Sequence, residues 1–200
     1  MESTGSYSES NDLTSKKRDF YFSIRENDAK LSLIERNSLS FLKEWTGCDG
    51  INVGSFGLLL NISSSDIDIG IGANPDDIER IRQSLEEKGC LFKAERVTRK
   101  IDQEGLCTSR FVYLFQIDGI DIDISVYLDT DLKILSQGLF KCRKEMSLED
   151  RIEHVWQKNE LKLSGNVSGY ANYKIEPYEK FCKGFLWKPL EDKLQSSKEE

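Results

Sequence analysis

The sequence has no long apolar run and no apolar stretch near its N-terminus, so it shows no sign of a membrane-spanning helix or a secretion signal. It has no Cys-x-x-Cys spacing. Its five cysteines (Cys48, Cys90, Cys107, Cys142 and Cys182) are odd in number and scattered. That pattern fits reduced thiols in a cytosol, not a disulfide framework or a zinc site. Positive charge is not in excess either: 28 Lys and Arg face 35 Asp and Glu, a net charge of −7. No global positive field therefore draws the chain to nucleic acid or to an anionic membrane. The single histidine, His154, falls among Asp150, Arg151 and Lys158 and is expected in solvent. No internal repeat is present. The 38% hydrophobic and 32% charged residues are ordinary for a globular protein, and 200 residues suffice for one substantial core with a small appendage. The expected compartment is cytoplasmic, with a nuclear one open, and no membrane partner is expected.

Taken in order, residues 1–19 are rich in Ser, Glu, Asn and Lys and are expected as a disordered tail. Leu31, Ile34, Leu39, Leu42 and Trp45 recur at helical spacing, and Gly47 suits the C-terminal cap. A strand Ile51-Asn52-Val53 leads to Gly54-Ser55, after which Phe56 to Leu60 could begin a short helix or follow a turn as a buried segment. Asn74 and Pro75 open a further helix whose buried stripe is Ile78, Ile81 and Leu85. Cys90 to Lys100 reads as a strand and residues 101–107 as a loop. Two alternating strands, Arg110 to Ile117 and Ile120 to Leu128, flank Asp118-Gly119, the signature of a two-residue hairpin turn. The remainder reads as helical: Asp131 to about Cys142, a helix capped by Ser147, a loop through Gly165, Gly169, Tyr170 and Tyr173, and a last helix from about Pro177 to Leu194. The implied domains are the tail 1–19, a main domain 20–130 and a helical extension 131–200 packed on the same core.

The chemistry lies in the acids. In Asp66-Ile67-Asp68-Ile69-Gly70-Ile71, strand alternation puts both aspartates on one face and the isoleucines on the other. Paired carboxylates repel unless a cation lies between them, which makes the pair a candidate divalent-metal site. The hairpin fixes a register in which Gln116 faces Asp121 and Leu114 faces Asp123. One face of it is apolar (Phe111 to Ile117 and Ile120 to Val126, in alternation). The other carries Arg110, Asp121, Asp123, Ser125 and Tyr127.

Gly54-Ser55, Asp66-Ile67-Asp68 and Gly119-Ile120-Asp121-Ile122-Asp123 together resemble the DNA polymerase beta-like nucleotidyltransferase superfamily, in its poly(A)-polymerase-like branch. The resemblance spans about residues 30 to 130. It implies an α/β (α+β) nucleotidyltransferase fold, a mixed sheet of about five strands flanked by helices, with a short helical C-terminal extension. It implies Asp66, Asp68 and Asp123 as catalytic metal ligands, with Asp121 the runner-up for the third place. The implied cofactor is Mg²⁺, or Mn²⁺, as a pair of ions about 3.5–4 Å apart. The implied partners are an NTP and an acceptor, RNA among the candidates. Gly54 and Ser55 would cradle phosphates, Arg110 could touch the triphosphate or neutralise Asp121, and Lys141, Arg143 and Lys144 could neutralise the leaving pyrophosphate.

The implied reaction moves a nucleoside monophosphate from an NTP to an acceptor hydroxyl on a small molecule, a protein or a tRNA end. Two alternatives stand beside it: an RNA 3′-end tailing polymerase that needs a partner subunit, and a non-catalytic nucleotide-binding module on the same fold. Tyr170 or Tyr173 could stack on a base.

Overall fold

A computed structural model describes residues 6–63, 66–100, 107–181 and 187–193. Six strands form one sheet in the order β1-β2-β5-β4-β3-β6. The strands are β1 (Gly50–Asn52), β2 (Ile67–Ala73), β3 (Leu91–Lys100), β4 (Cys107–Ile117), β5 (Ile120–Leu128) and β6 (Trp187–Lys193). β2 and β5 run parallel, and every other pair is antiparallel. The Asp-Gly turn does what its residues dictate: Asp118 and Gly119 both take positive φ, and Ile117 pairs with Ile120, Gln116 with Asp121 and Leu114 with Asp123, as expected.

Each face of the sheet is covered. Ile67, Ile69, Ile71, Tyr113, Ile122, Ile124 and Val126 form one core with Ile34 and Leu42 of α2 (Asp28–Thr46) and with Ile81 and Leu85 of α3 (Ile78–Glu87). A second core joins Val53, Leu58, Leu60, Ile62 and Tyr127 to α1 (Ser6–Arg25), α4 (Asp129–Glu145) and α5 (Leu148–Leu163). The α+β architecture with a mixed sheet between helices is thus as the sequence implies, with a sixth strand added by the C-terminal segment.

Three segments differ from expectation, and a fourth settles between two readings. Residues 6–19 are helical, not a disordered tail, because α1 is anchored where its apolar residues gather: Tyr21 and Ile24 are buried, and Phe20 meets Trp156 edge-on at 5.6 Å. Phe56 to Leu59 forms turns instead of a helix: Leu59 takes φ +60°, and Leu60 donates its N–H to Ser55 O (2.8 Å). The expected loop through Gly169 and Tyr170 belongs to α6 (Val167–Phe181), which starts early because Asn166 Oδ1 accepts from Gly169 N (2.9 Å). Pro177 therefore lies inside that helix, and the expected final helix gives way to β6, paired with β3. Residues 101–106 and 194–200 lie outside the described residues.

No helix among the described residues is long and apolar enough to cross a membrane.

Candidate active site

The parallel pair β2–β5 builds the site. Asp68 and Asp123 are Cα partners in its register, and Asp66 sits one residue before β2. Since Ile67, Ile69, Ile122 and Ile124 face the α2–α3 core, alternation turns all three aspartates to the opposite face. There each offers a carboxylate oxygen, and these oxygens lie within 4.8 Å of one another. Asp121 is left out of the group. It stands exposed and accepts a hydrogen bond from Gln116 Nε2 at 2.6 Å, so Asp123 is the acid that joins the pair.

Partial burial makes this crowding costly. Desolvation first, then the Asp66 charge, pushes the Asp68 carboxyl up to about 6, against the pull of Lys174 and Arg110. Three closely set carboxylates, one of them held against its own ionisation, are a donor set suited to a hard divalent cation with oxygen ligands.

Gly54 lies directly against one of the acids. Val53 N–H donates to Asp68 O (2.9 Å), which lays the following residue across the Asp68 side chain. A Cβ on Gly54 would stand 2.1 Å from Asp68 Oδ2 and 2.6 Å from Asp68 Cβ. The glycine therefore makes room for a carboxylate. Its amide, with that of Gly57, is already bound by Asn52 Oδ1 at 3.0 and 3.1 Å, and Ser55 is buried beside it.

The positive charges around the acids are mostly not those the sequence suggested. Arg110 does share the acid face, where its guanidinium donates to Tyr127 Oη and lies over that ring at 5.5 Å. It lowers Asp68 and is not a partner of Asp121, which Gln116 occupies. Lys141 and Lys144 are exposed on α4 and are not among the charges that act on Asp68. Three lysines from outside the expected set stand closer. Lys93 Nζ binds both Asp123 oxygens at 2.8 and 3.2 Å. Lys158, 1% exposed on α5, donates to Leu60 O at 3.0 Å, and its charge is coupled to Asp66, Asp68 and Lys174. Lys174 lies on α6.

α6 also separates the two candidate tyrosines. Tyr173 is used internally: it stacks on His154 with ring centres 4.6 Å apart. That histidine is buried, contrary to expectation, and burial pushes it down to about 4. Tyr170 is half-buried and near enough to the acids for Asp66 and Asp68 to raise its hydroxyl, after burial itself. Lys158 escaped the sequence because the polar stretch Lys158 to Lys162 looks like a solvated helix face. Only the packing of α5 on the Leu60 segment turns one lysine inward.

No family model matches the chain, and no curated protein matches it. Solved structures similar to it include a cytoplasmic RNA terminal U-transferase, at 14% identity over 76% of this chain and 45% of that one, with a TM-score of 0.50. Cid1 in complex with the UTP analogue UMPNPP aligns at 14% identity over 72% and 45%, with a TM-score of 0.44. The polymerase core of TRAMP, an RNA surveillance complex, aligns at 17% over 69% and 47%, with a TM-score of 0.36. The first likeness shows that this chain has the nucleotidyltransferase fold, and the other two are too loose to add to it. The chain spans less than half the length of each of these proteins.

Proposed function

We propose that this chain is a nucleotidyltransferase that moves a nucleoside monophosphate from an NTP to an acceptor hydroxyl and releases pyrophosphate. The observation that carries this is the convergence of Asp66, Asp68 and Asp123 on one sheet face of a nucleotidyltransferase fold, with ligand atoms within 4.8 Å. These three acids would hold Mg²⁺, which supplies Lewis-acid stabilisation of the phosphate charge and of the attacking oxygen. Asp123, on β5, would help to take the proton from the acceptor hydroxyl.

The remaining roles fall to residues that share the acid face. Gly54 keeps Asp68 in place, and Ser55 closes the turn beside it. Lys158 and Lys174 are better situated than Lys141 and Lys144 to meet the negative charge of a triphosphate, because their charges already reach Asp68. Arg110 is a further phosphate contact on the same face. Tyr170, free of the His154 stack, offers a ring for the base. In this reading 20–130 is the catalytic domain and 131–200 the extension that supplies Lys158, Lys174 and Tyr170. The proposed setting is cytoplasmic, with a nuclear one open.

An RNA end is the acceptor class with an observation behind it, since the structural neighbour at TM-score 0.50 is an RNA terminal U-transferase. Parallel reactions with α-labelled and γ-labelled NTP test the chemistry. The α-label should enter an acceptor from a fractionated cell extract while the γ-label leaves as pyrophosphate. Transfer of γ-label to the acceptor would instead mean phosphoryl transfer and would sink the proposal. Acceptor labelling that declines steeply with salt would favour RNA over a small molecule.

A further inference from the structure

The strand β3 carries one residue more than its partner β4: the register runs Phe92 to Tyr113 and then Ala94 to Val112, so Lys93 is the unpaired residue of a β-bulge. Bulges re-aim side chains and gather beside functional sites. Here the bulge delivers an ammonium to a carboxylate, with Lys93 Nζ at 2.8 Å from Asp123 Oδ1 and 3.2 Å from Oδ2. Among the other cations near the acids, Arg110 is bound to Tyr127, Lys158 is buried against Leu60 O, and Lys174 acts on Asp68 through its charge. Lys93 alone forms an ion pair with one of the three acids among the described residues, and its side chain is 40% exposed while that of Asp123 is 13% exposed.

We propose that Lys93 is a built-in competitor of the divalent cation: its ammonium neutralises Asp123 in the metal-free protein and must leave before that carboxylate can bind metal. This rests on Asp123 being a metal ligand, as proposed above, and adds a regulation of that site. A divalent cation takes carboxylate oxygens at about 2.0–2.6 Å and repels an ammonium sharing them. An ammonium spread over both oxygens therefore cannot keep its place beside the ion. The long, half-exposed stem of Lys93 lets the head group swing to water, which a short or buried cation could not do. The lysine then raises the metal concentration that the site needs. It also spares the metal-free protein an uncompensated cluster of three carboxylates.

Binding of Mn²⁺ alone to the full 200-residue chain, followed by the electron paramagnetic resonance of the free ion, tests this without any turnover. Lys93→Met and Lys93→Gln should each bind Mn²⁺ about five-fold more tightly than wild type, the factor for losing one half-exposed ion pair. Lys93→Arg, which keeps the charge, should stay near wild type. Equal or weaker binding by both neutral variants, with Mn²⁺ still lost in Asp66→Asn/Asp68→Asn, would overturn the role of Lys93 and leave the acid site standing. Binding that the double aspartate variant retains in full, or that no protein shows, would overturn the acid site and this inference together.

Discussion

Asp68 and Asp123 are register partners on adjacent parallel strands, and a third acid, Asp66, reaches the same point from just before β2. Strands are spaced about 4.8 Å apart, so paired carboxylates in this register cannot move away without breaking the sheet. The backbone thus holds like charges together, and the electrostatic cost appears as the raised ionisation point of Asp68.

A pH dependence follows. The folded state keeps the Asp68 proton up to about 6, whereas the unfolded chain releases it near the ordinary carboxylate value of 3.8. Between those limits folding favours the protonated form, so the contribution of this group to stability is greatest below about 4 and is lost as pH rises through 6. In metal-free protein, Asp68→Asn should be more stable than wild type by about 1–2 kcal/mol at pH 7.5, with the gap closing toward pH 4. Denaturant melts at several pH values check this. A constant gap would contradict it.

Gly54→Ala should damage the metal site more than the fold. The new Cβ would meet Asp68 Oδ2 at 2.1 Å and Asp68 Cβ at 2.6 Å, so the side chain must leave its place and the backbone must shift. A loss of about 1–3 kcal/mol in stability is expected, with Mn²⁺ affinity reduced at least ten-fold. Unchanged Mn²⁺ binding would show that Gly54 does not position Asp68.

Lys158→Met separates stability from activity. Burial pushes this lysine down to about 7, with Lys174 adding to the push and Asp68 and Asp66 opposing it. The unfolded chain binds that proton up to about 10.5, so wild-type stability should rise with pH between 7 and 10.5. Methionine keeps the packing and removes the charge. The variant should be more stable by roughly 2 kcal/mol at pH 6, less so toward pH 10, and slower in nucleotide transfer. Thermal melts beside a transfer assay would show it, and a variant as active as wild type would remove Lys158 from the triphosphate site.

How much of this the sequence revealed depends on range. The β4–β5 register was legible because Asp118-Gly119 leaves one way to close the turn, and with it the face that carries Asp123. Asp66 and Asp68 were legible by alternation with buried isoleucines. The Lys93–Asp123 contact was not, because it needs a bulge in β3 that no residue of that strand announces. His154 and Lys158 look solvated on a helical wheel and are buried by α6 and the Leu60 segment, contacts made across the chain. β6 pairs with a distant strand, which local periodicity cannot show.

Transfer of label from α-labelled ATP, CTP, GTP and UTP, with Mg²⁺, into a fractionated cell extract decides whether the acid cluster moves nucleotides. Wild type is compared with Asp66→Asn/Asp68→Asn. Label should enter an acceptor fraction with wild type and fall by at least about a thousand-fold in the double variant. Equal labelling by the two proteins, or none from either together with equal nucleotide affinity, would contradict it.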